Sequence, residues 1–253
     1  MLLESKGLTK YFGGLAAVSL FDIHVKQGET VGLIGPNGAG KTTVFNLITG
    51  LFPPTRGTVL FEGKDITCKK PNVVAKLGIG RAFQLAPLFA DFTVLENVEA
   101  SFHLRPRSSL WDAFLNTATY RRNEEYILQR SMEILQLVGL HEVKNNLAKN
   151  LPHGYQKMLG MARALAIGPK LLLLDEPIGG MSQDEIKLTR TAIEKMRKQG
   201  VSIVLVEHNM QIMDLCDRVV VMNFGQIIAE GSLSEVRENK EVIQAYFGGK
   251  HAA

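Results

Sequence analysis

The stretch that decides the fold is Thr30-Val31-Gly32-Leu33-Ile34-Gly35-Pro36-Asn37-Gly38-Ala39-Gly40-Lys41-Thr42-Thr43. Val31 to Ile34 reads as a short apolar strand. A helix opens at Thr42, with Val44, Leu47, Ile48 and Leu51 at helical spacing and Gly50 near its end. Between them, Gly35 to Thr42 matches G-x-x-x-x-G-K-[ST] in the strand-to-helix setting that the pattern requires. The glycines let successive N–H groups point inward around phosphate oxygens, and the helix N-terminus adds a favourable dipole. Lys41 is expected to reach β- and γ-phosphate oxygens, and the Thr42 hydroxyl to ligate magnesium. The nucleotide-holding set is Gly35, Pro36, Asn37, Gly38, Ala39, Gly40, Lys41, Thr42 and Thr43.

Working outward, Leu171-Leu172-Leu173-Leu174-Asp175-Glu176 supplies a complement. Four apolar residues suit a strand buried on both faces, and two carboxylates follow at its C-terminal edge, where open parallel sheets bind ligands. Asp175 is expected to hold Mg2+, directly or through water, and Glu176 to orient or deprotonate the water that attacks the γ-phosphate. After residue 168 the pattern alternates: a helix over Ile186–Arg197, a buried strand over Val201–Val206 and a short helix over Met210–Cys216. A hairpin follows around Asn223-Phe224-Gly225-Gln226, then a final helix over Val242–Phe247. The first 65 residues read as β-rich, with short apolar runs separated by glycine turns. Residues 72 to about 168 read as mostly helical, with Ile127, Met132, Leu135 and Val138 on one amphipathic helix closed by Gly139. Arg105 to Arg122, which holds the only tryptophan, Trp111, reads as a surface loop or a partner-docking insertion.

Composition bounds the rest. The 253 residues, against about 150 per domain, suit one large domain or a domain with an insertion. Charged residues are 21% and hydrophobic residues 45%, which excludes disorder. The net charge of +4 is spread without basic runs longer than a pair, so a nucleic-acid partner is not expected. Cys68 and Cys216 lie far apart, which argues against a disulfide framework or a zinc site. No run approaches the about 20 apolar residues of a membrane span. A cytosolic, reduced chain is expected, touching a membrane only through another protein.

Together these elements resemble the ATP-binding subunits of ABC transporters, from Leu3 to about Gly248. The resemblance implies an α/β fold: a P-loop NTPase core with an N-terminal antiparallel β-subdomain and an inserted α-helical subdomain. Residues 1–253 would form a single ATP-binding domain, with the helical subdomain at about 85–165. Phe12 in KYFGG matches the aromatic on which adenine stacks, with a core role as the alternative. Gln84 in RAFQ matches the glutamine that senses Mg2+ and the γ-phosphate, and His208 in LVEHNM matches the switch histidine that contacts the γ-phosphate. Gly154 matches the signature glycine that faces ATP held by the opposite subunit. FGGLAAV, RAFQLAPLF with TVLENV, VEHNM and VIQAYFG are most similar to the subgroup serving branched-chain amino-acid importers.

The implied machine binds ATP and Mg2+ in a head-to-tail dimer of ATP-binding subunits, homomeric or heteromeric. It drives integral-membrane permease subunits from the inner face of the cell membrane and is served indirectly by a solute-binding protein. Leu85, Pro87, Leu88 and Phe89 would offer apolar contact to those subunits, or belong to the core. An exporter ATPase, and a nucleotide-binding module whose output is dimerisation, are the alternatives.

Two departures from the family pattern stand out. The signature, normally LSGGQ or LSYGQ, is Leu151-Pro152-His153-Gly154-Tyr155-Gln156 here. Pro152 replaces a serine and offers neither hydroxyl nor N–H to a γ-phosphate, though it is at home beside a helix start, so a helix over Gly154–Ala166 is expected. Gly180-Met181-Ser182 stands where Gly-Leu-Asp or Gly-Leu-Asn is usual; Ser182 can still bond across a dimer but lacks the carboxylate or amide.

Overall fold

The computed structural model describes residues 1–82, 88–102 and 117–247. The glycine-punctuated N-terminal runs pair as a four-stranded antiparallel sheet of order β2-β1-β4-β5. Its strands are β1 (Leu3–Phe12), β2 (Leu15–Val25), β4 (Arg56–Phe61) and β5 (Lys64–Asp65). Between β2 and β4 in the chain, β3 (Thr30–Ile34) leaves for a second sheet. There it joins β6 (Ile79–Ala82), β7 (Leu171–Asp175), β8 (Ser202–Val206), β9 (Arg218–Asn223) and β10 (Gln226–Gly231) in the order β10-β9-β3-β8-β7-β6. All its pairings are parallel except the β9–β10 hairpin.

Strands β3, β7 and β8 are buried at every residue, which accounts for their continuous apolar sequence. The pleat still sorts them. Leu172, Leu174, Ile203 and Leu205 enter the core shared with the helices, whereas Leu171, Leu173, Val204 and Val206 face the core under the antiparallel sheet. Register then fixes function: Leu33 pairs with Val206, and Val206 with Asp175. The segments that follow β3, β7 and β8 therefore leave the sheet level with one another at its carboxyl edge.

The helices are α1 (Lys41–Ile48), α2 (Pro71–Leu77), α3 (Val94–Phe102), α4 (Ala118–Val138), α5 (His153–Ala166), α6 (Gln183–Lys198), α7 (Met210–Met213), α8 (Leu233–Glu238) and α9 (Lys240–Phe247). The expected helix closed by Gly139 is α4. Thr117 caps its start by accepting from the Tyr120 N–H, and Gly139 ends it at φ 78°. Helices α3, α4 and α5 pack against one another between β6 and β7 in the chain.

The segment from residue 72, expected to be mostly helical, also holds a strand that was not expected: Ile79–Ala82 forms the edge strand β6, paired with β7. Its sequence, Ile-Gly-Arg-Ala, has no strand pattern of its own; small residues are needed because α5 presses on it, and a Cβ on Gly80 would lie 2.9 Å from the Ala164 carbonyl. Trp111 and the 105–116 part of the expected insertion lie outside the described residues, whereas Ala118 to Arg122 belong to α4.

The two cysteines differ sharply. Cys68 is exposed, whereas Cys216 sits beside β3 and burial pushes its thiol up to about 12. At pH 8 a thiol-reactive dye should label Cys68 rapidly and Cys216 only after denaturation; fast native labelling of both would contradict this packing.

Candidate functional site

The phosphate-cradling loop is shaped by what crowds it. A Cβ on Gly35 would lie 2.2 Å from the Met222 carbonyl oxygen, and one on Gly40 would lie 2.3 Å from that of Ala17. Gly40 also has φ 103°, which a side chain disfavours. It precedes α1 without a side-chain cap, so the first N–H groups of that helix are left for a ligand. Lys41 Nζ folds back on the loop, donating to the carbonyls of Gly35 (2.7 Å) and Pro36 (3.0 Å). Burial lowers the pKa of its ammonium, while Glu176 and Asp175 oppose that shift.

A cavity of about 310 Å³ opens here. It is lined by the loop from Asn37 to Thr43, by Leu15, Ala16 and Ala17 of β2, by Glu176 and by Phe224. The structure thus brings Asn37, Gly38, Ala39, Gly40, Lys41, Thr42, Thr43 and Glu176 to one space, with Gly35 and Pro36 behind Lys41. Glu176 holds φ 47°, an uncommon conformation for a residue with a side chain. Its N–H donates to the Val206 carbonyl at 2.9 Å, and its carbonyl accepts from Lys157 Nζ at 3.0 Å.

Asp175, expected to hold Mg2+ directly or through water, is also engaged within the chain. Its Oδ2 accepts from Arg81 Nη2 at 2.9 Å, with the two side chains only 4% and 5% exposed. Arg81 also donates to Asn46 Oδ1 of α1 at 2.7 Å and lies 5.5 Å from the Phe45 ring centroid. Burial pushes the Asp175 carboxyl upward and Arg81 holds it back. The Thr42 hydroxyl and the Asp175 carboxyl are the oxygen donors that a hard cation such as Mg2+ takes, with water and phosphate making up the rest of its ligands. Among the described residues no group of three or more His, Cys, Asp or Glu could hold a metal without such help.

The other expected site residues lie apart from this cavity. Phe12, 44% exposed at the end of β1, packs edge-on against Phe52 at 5.6 Å, and Lys10 Nζ lies 5.2 Å from its ring centroid. His208 has a side chain 76% exposed and lines a separate, largely apolar cavity of about 230 Å³ with Ile34, Met213 and Tyr246. Gly154 sits in the first turn of α5 against the Glu185 carboxylate. Ser182 is committed within its own chain, capping α6 with its hydroxyl 2.8 Å from Glu185 Oε2. Gln84, with Leu85 and Pro87, lies outside the described residues. Leu88 packs on the core, whereas Phe89 is exposed, stacked on Phe92 at 5.2 Å and on Arg163 at 4.8 Å.

A family model described as "ABC transporter" matches residues 18–179, which spans the phosphate loop, Asp175 and Glu176. The chain belongs to the ABC transporter ATP-binding family. The resemblance read from the sequence therefore holds, and so does the P-loop ABC ATPase fold. A second model, "Branched-chain amino acid ATP-binding cassette transporter", matches residues 226–252. A high-affinity branched-chain amino acid transport ATP-binding protein, LivG of Salmonella typhimurium, is 39% identical over 98% of both chains. The crystal structure of a nucleotide-free ATP-binding cassette from an ABC transporter matches with TM-score 0.84 and 32% identity, covering 98% of this chain and 99% of that one. A dimeric post-hydrolysis ATP-binding cassette bound to ADP and Pi matches with TM-score 0.78 and 26% identity, over 91% and 98%. The ABC subunit described here binds and hydrolyses ATP as part of a transporter.

Sequence reading missed Arg81, Lys157 and Glu207, all of which bind the loops of this ABC site. Charged residues in isolation look like surface residues, and only the fold shows Arg81 and Glu207 buried and Lys157 half-buried. Arg81→Met should lower the unfolding free energy by about 3–5 kcal/mol, because Asp175 is left as an uncompensated buried charge. Adding Asp175→Leu should recover most of that loss in urea denaturation; additive losses would contradict a coupled pair.

Proposed function

We propose that this ABC subunit hydrolyses Mg2+–ATP in a head-to-tail dimer and drives uptake of branched-chain amino acids or a related small solute. The observation that carries the chemistry is Glu176 and Lys41 facing one cavity at the N-terminus of α1. The match of residues 226–252 to the branched-chain amino-acid model carries the substrate class.

In this reading Gly35 to Thr43 wrap the phosphates with main-chain N–H groups. Lys41 leaves the carbonyls of Gly35 and Pro36 for the β- and γ-phosphates. Thr42, Asp175 and Gln84 would hold Mg2+, which would neutralise phosphate charge when bound. Glu176 orients and activates the attacking water, with His208 and Gln84 completing the catalytic set at the γ-phosphate. Phe12 stacks on adenine, and its exposed ring beside Lys10 suits that role. Gly154 faces the nucleotide of the opposite subunit.

The chain acts as one ATP-binding domain, 1–253, with its helical subdomain at about 85–165. Among the described residues no helix is long and apolar enough to cross a membrane. Work would pass to permease subunits at the inner membrane face, with the stacked Phe89 surface as a contact and a solute-binding protein delivering cargo. Glu176→Gln should cut ATP turnover by about 100-fold or more while retaining nucleotide binding, measured by phosphate release and equilibrium binding. Normal turnover would refute the assignment.

Pro152 favours a second element in this reading, two unequal sites if the dimer is heteromeric. It stands as the N-cap of α5 at φ −52° and ψ 152°, and its carbonyl accepts from the Gln156 N–H at 3.0 Å. Serine fits that backbone equally well, so Pro152→Ser should restore a γ-phosphate donor without reshaping the helix. Turnover should rise only in the assembled transporter; unchanged turnover there would reject the unequal-site reading.

A further inference from the structure

A carboxylate that no role above uses lies at the junction of the two loops that carry Glu176 and His208. Glu207 directly follows β8, and its side chain is 1% exposed. Its Oε1 accepts the Ile178 N–H at 3.2 Å, from the loop that begins at Glu176. Its Oε2 accepts the N–H groups of His208 at 2.9 Å and Asn209 at 3.3 Å.

We propose that Glu207 is a positioning residue that locks the Glu176 loop to the His208 loop, so that the two catalytic side chains move as one unit. The argument begins with backbone accounting. Where β7 and β8 end, their chains diverge, and N–H groups that the sheet would have paired lose their partners. A carboxylate has two oxygens and room for several donors, so one side chain can satisfy N–H groups from both loops. Bonds to an ionised acceptor are roughly twice as strong as neutral ones.

The geometry at Glu176 gives the lock its purpose. A residue at φ 47° persists only when its surroundings over-determine it. Three constraints do so: the Glu176 N–H on the Val206 carbonyl, Lys157 on the Glu176 carbonyl, and Glu207 on Ile178 two residues later. Lys157 comes from the helix bearing the signature, so that helix too is tied to the Glu176 loop. Glu207 touches neither the P-loop nor the phosphate cavity among the described contacts, so it acts through its neighbours.

The inference rests on the roles proposed for Glu176 and His208, and its test separates the two. ATP turnover and binding of a fluorescent ATP analogue are measured on the full chain, in the assembled transporter if the chain alone turns over too slowly. Glu207→Gln keeps shape and volume but replaces one acceptor with a donor; Glu207→Asp keeps the charge but shortens the reach. Both should lower kcat by about 10- to 100-fold, the scale expected for a misplaced catalytic group, with KM and analogue affinity changed by no more than about twofold. In a His208→Ala background, the further loss on adding Glu207→Gln should be smaller than in the unsubstituted protein, because one of the two groups it positions is already gone while the other, Glu176, is still displaced.

Turnover at the level of the unsubstituted protein in both Glu207 variants would overturn the inference. So would a rise in KM matching the fall in kcat, or losses that multiply in full with His208→Ala. Glu176→Gln is the reference. If it is inactive while the Glu207 variants are normal, the lock alone fails. If Glu176→Gln itself turns over normally, the assignment of Glu176 fails, and the lock with it.

Discussion

The buried pair between Arg81 and Asp175 is the interaction on which the arrangement of this site turns. Neither charge can be left alone in the interior without a cost of several kcal/mol, so each dictates where the other must be. Arg81 comes from the short edge strand β6 and Asp175 from the end of β7, and Arg81 also grips Asn46 on α1. One guanidinium therefore joins the helix that begins at the phosphate loop to the strand that ends in the two carboxylates. Its planar fork serves both partners at once, which a lysine's single ammonium would do less well. The bond occupies Oδ2 of Asp175 and so fixes how the carboxyl is held at the end of β7.

What could be read from the chain was local and periodic. Gly35 to Thr42 declares itself because loop, strand and helix signals coincide within a dozen residues. Leu171 to Leu174 does so because a strand buried on both faces has no polar face to disguise it. What could not be read depended on distant pairing. Ile79–Ala82 becomes a strand only because β7 is beside it, and Glu207 becomes a buried acceptor only because two loops diverge around it. His208 follows β8 as expected, yet it lines the cavity with Ile34 and Tyr246, which no spacing rule could have revealed. Pro152 was legible in both respects, as a missing donor and as a tolerated helix start, and α5 forms from His153 onward.

The parallel sheet explains why so many of these groups lie near one another. Strands β3, β7 and β8 run side by side in register, so the residues just beyond Ile34, Asp175 and Val206 meet by geometry rather than by special contacts. The phosphate loop, the Glu176 loop and the Glu207–His208 segment are then three exits from one sheet edge. Individual side chains refine that meeting: Lys157 from α5 fixes the backbone of Glu176, and Ser182 closes the same loop by capping α6.

The crowding at Gly35 and Gly40 carries a consequence for how the sequence can drift. The nearest atoms that a new Cβ would strike are carbonyl oxygens, of Met222 at 2.2 Å and of Ala17 at 2.3 Å, with side-chain atoms no nearer than 3.1 Å. A clash with a side chain can be cured by a second substitution that shrinks the neighbour, but a carbonyl is the same in all twenty amino acids. No compensating change elsewhere in the chain can make room without moving β9 or β2 as a whole. The two positions thus resist anything but glycine, and the clash is set by where strands β9 and β2 run, whichever residues they carry at Met222 and Ala17.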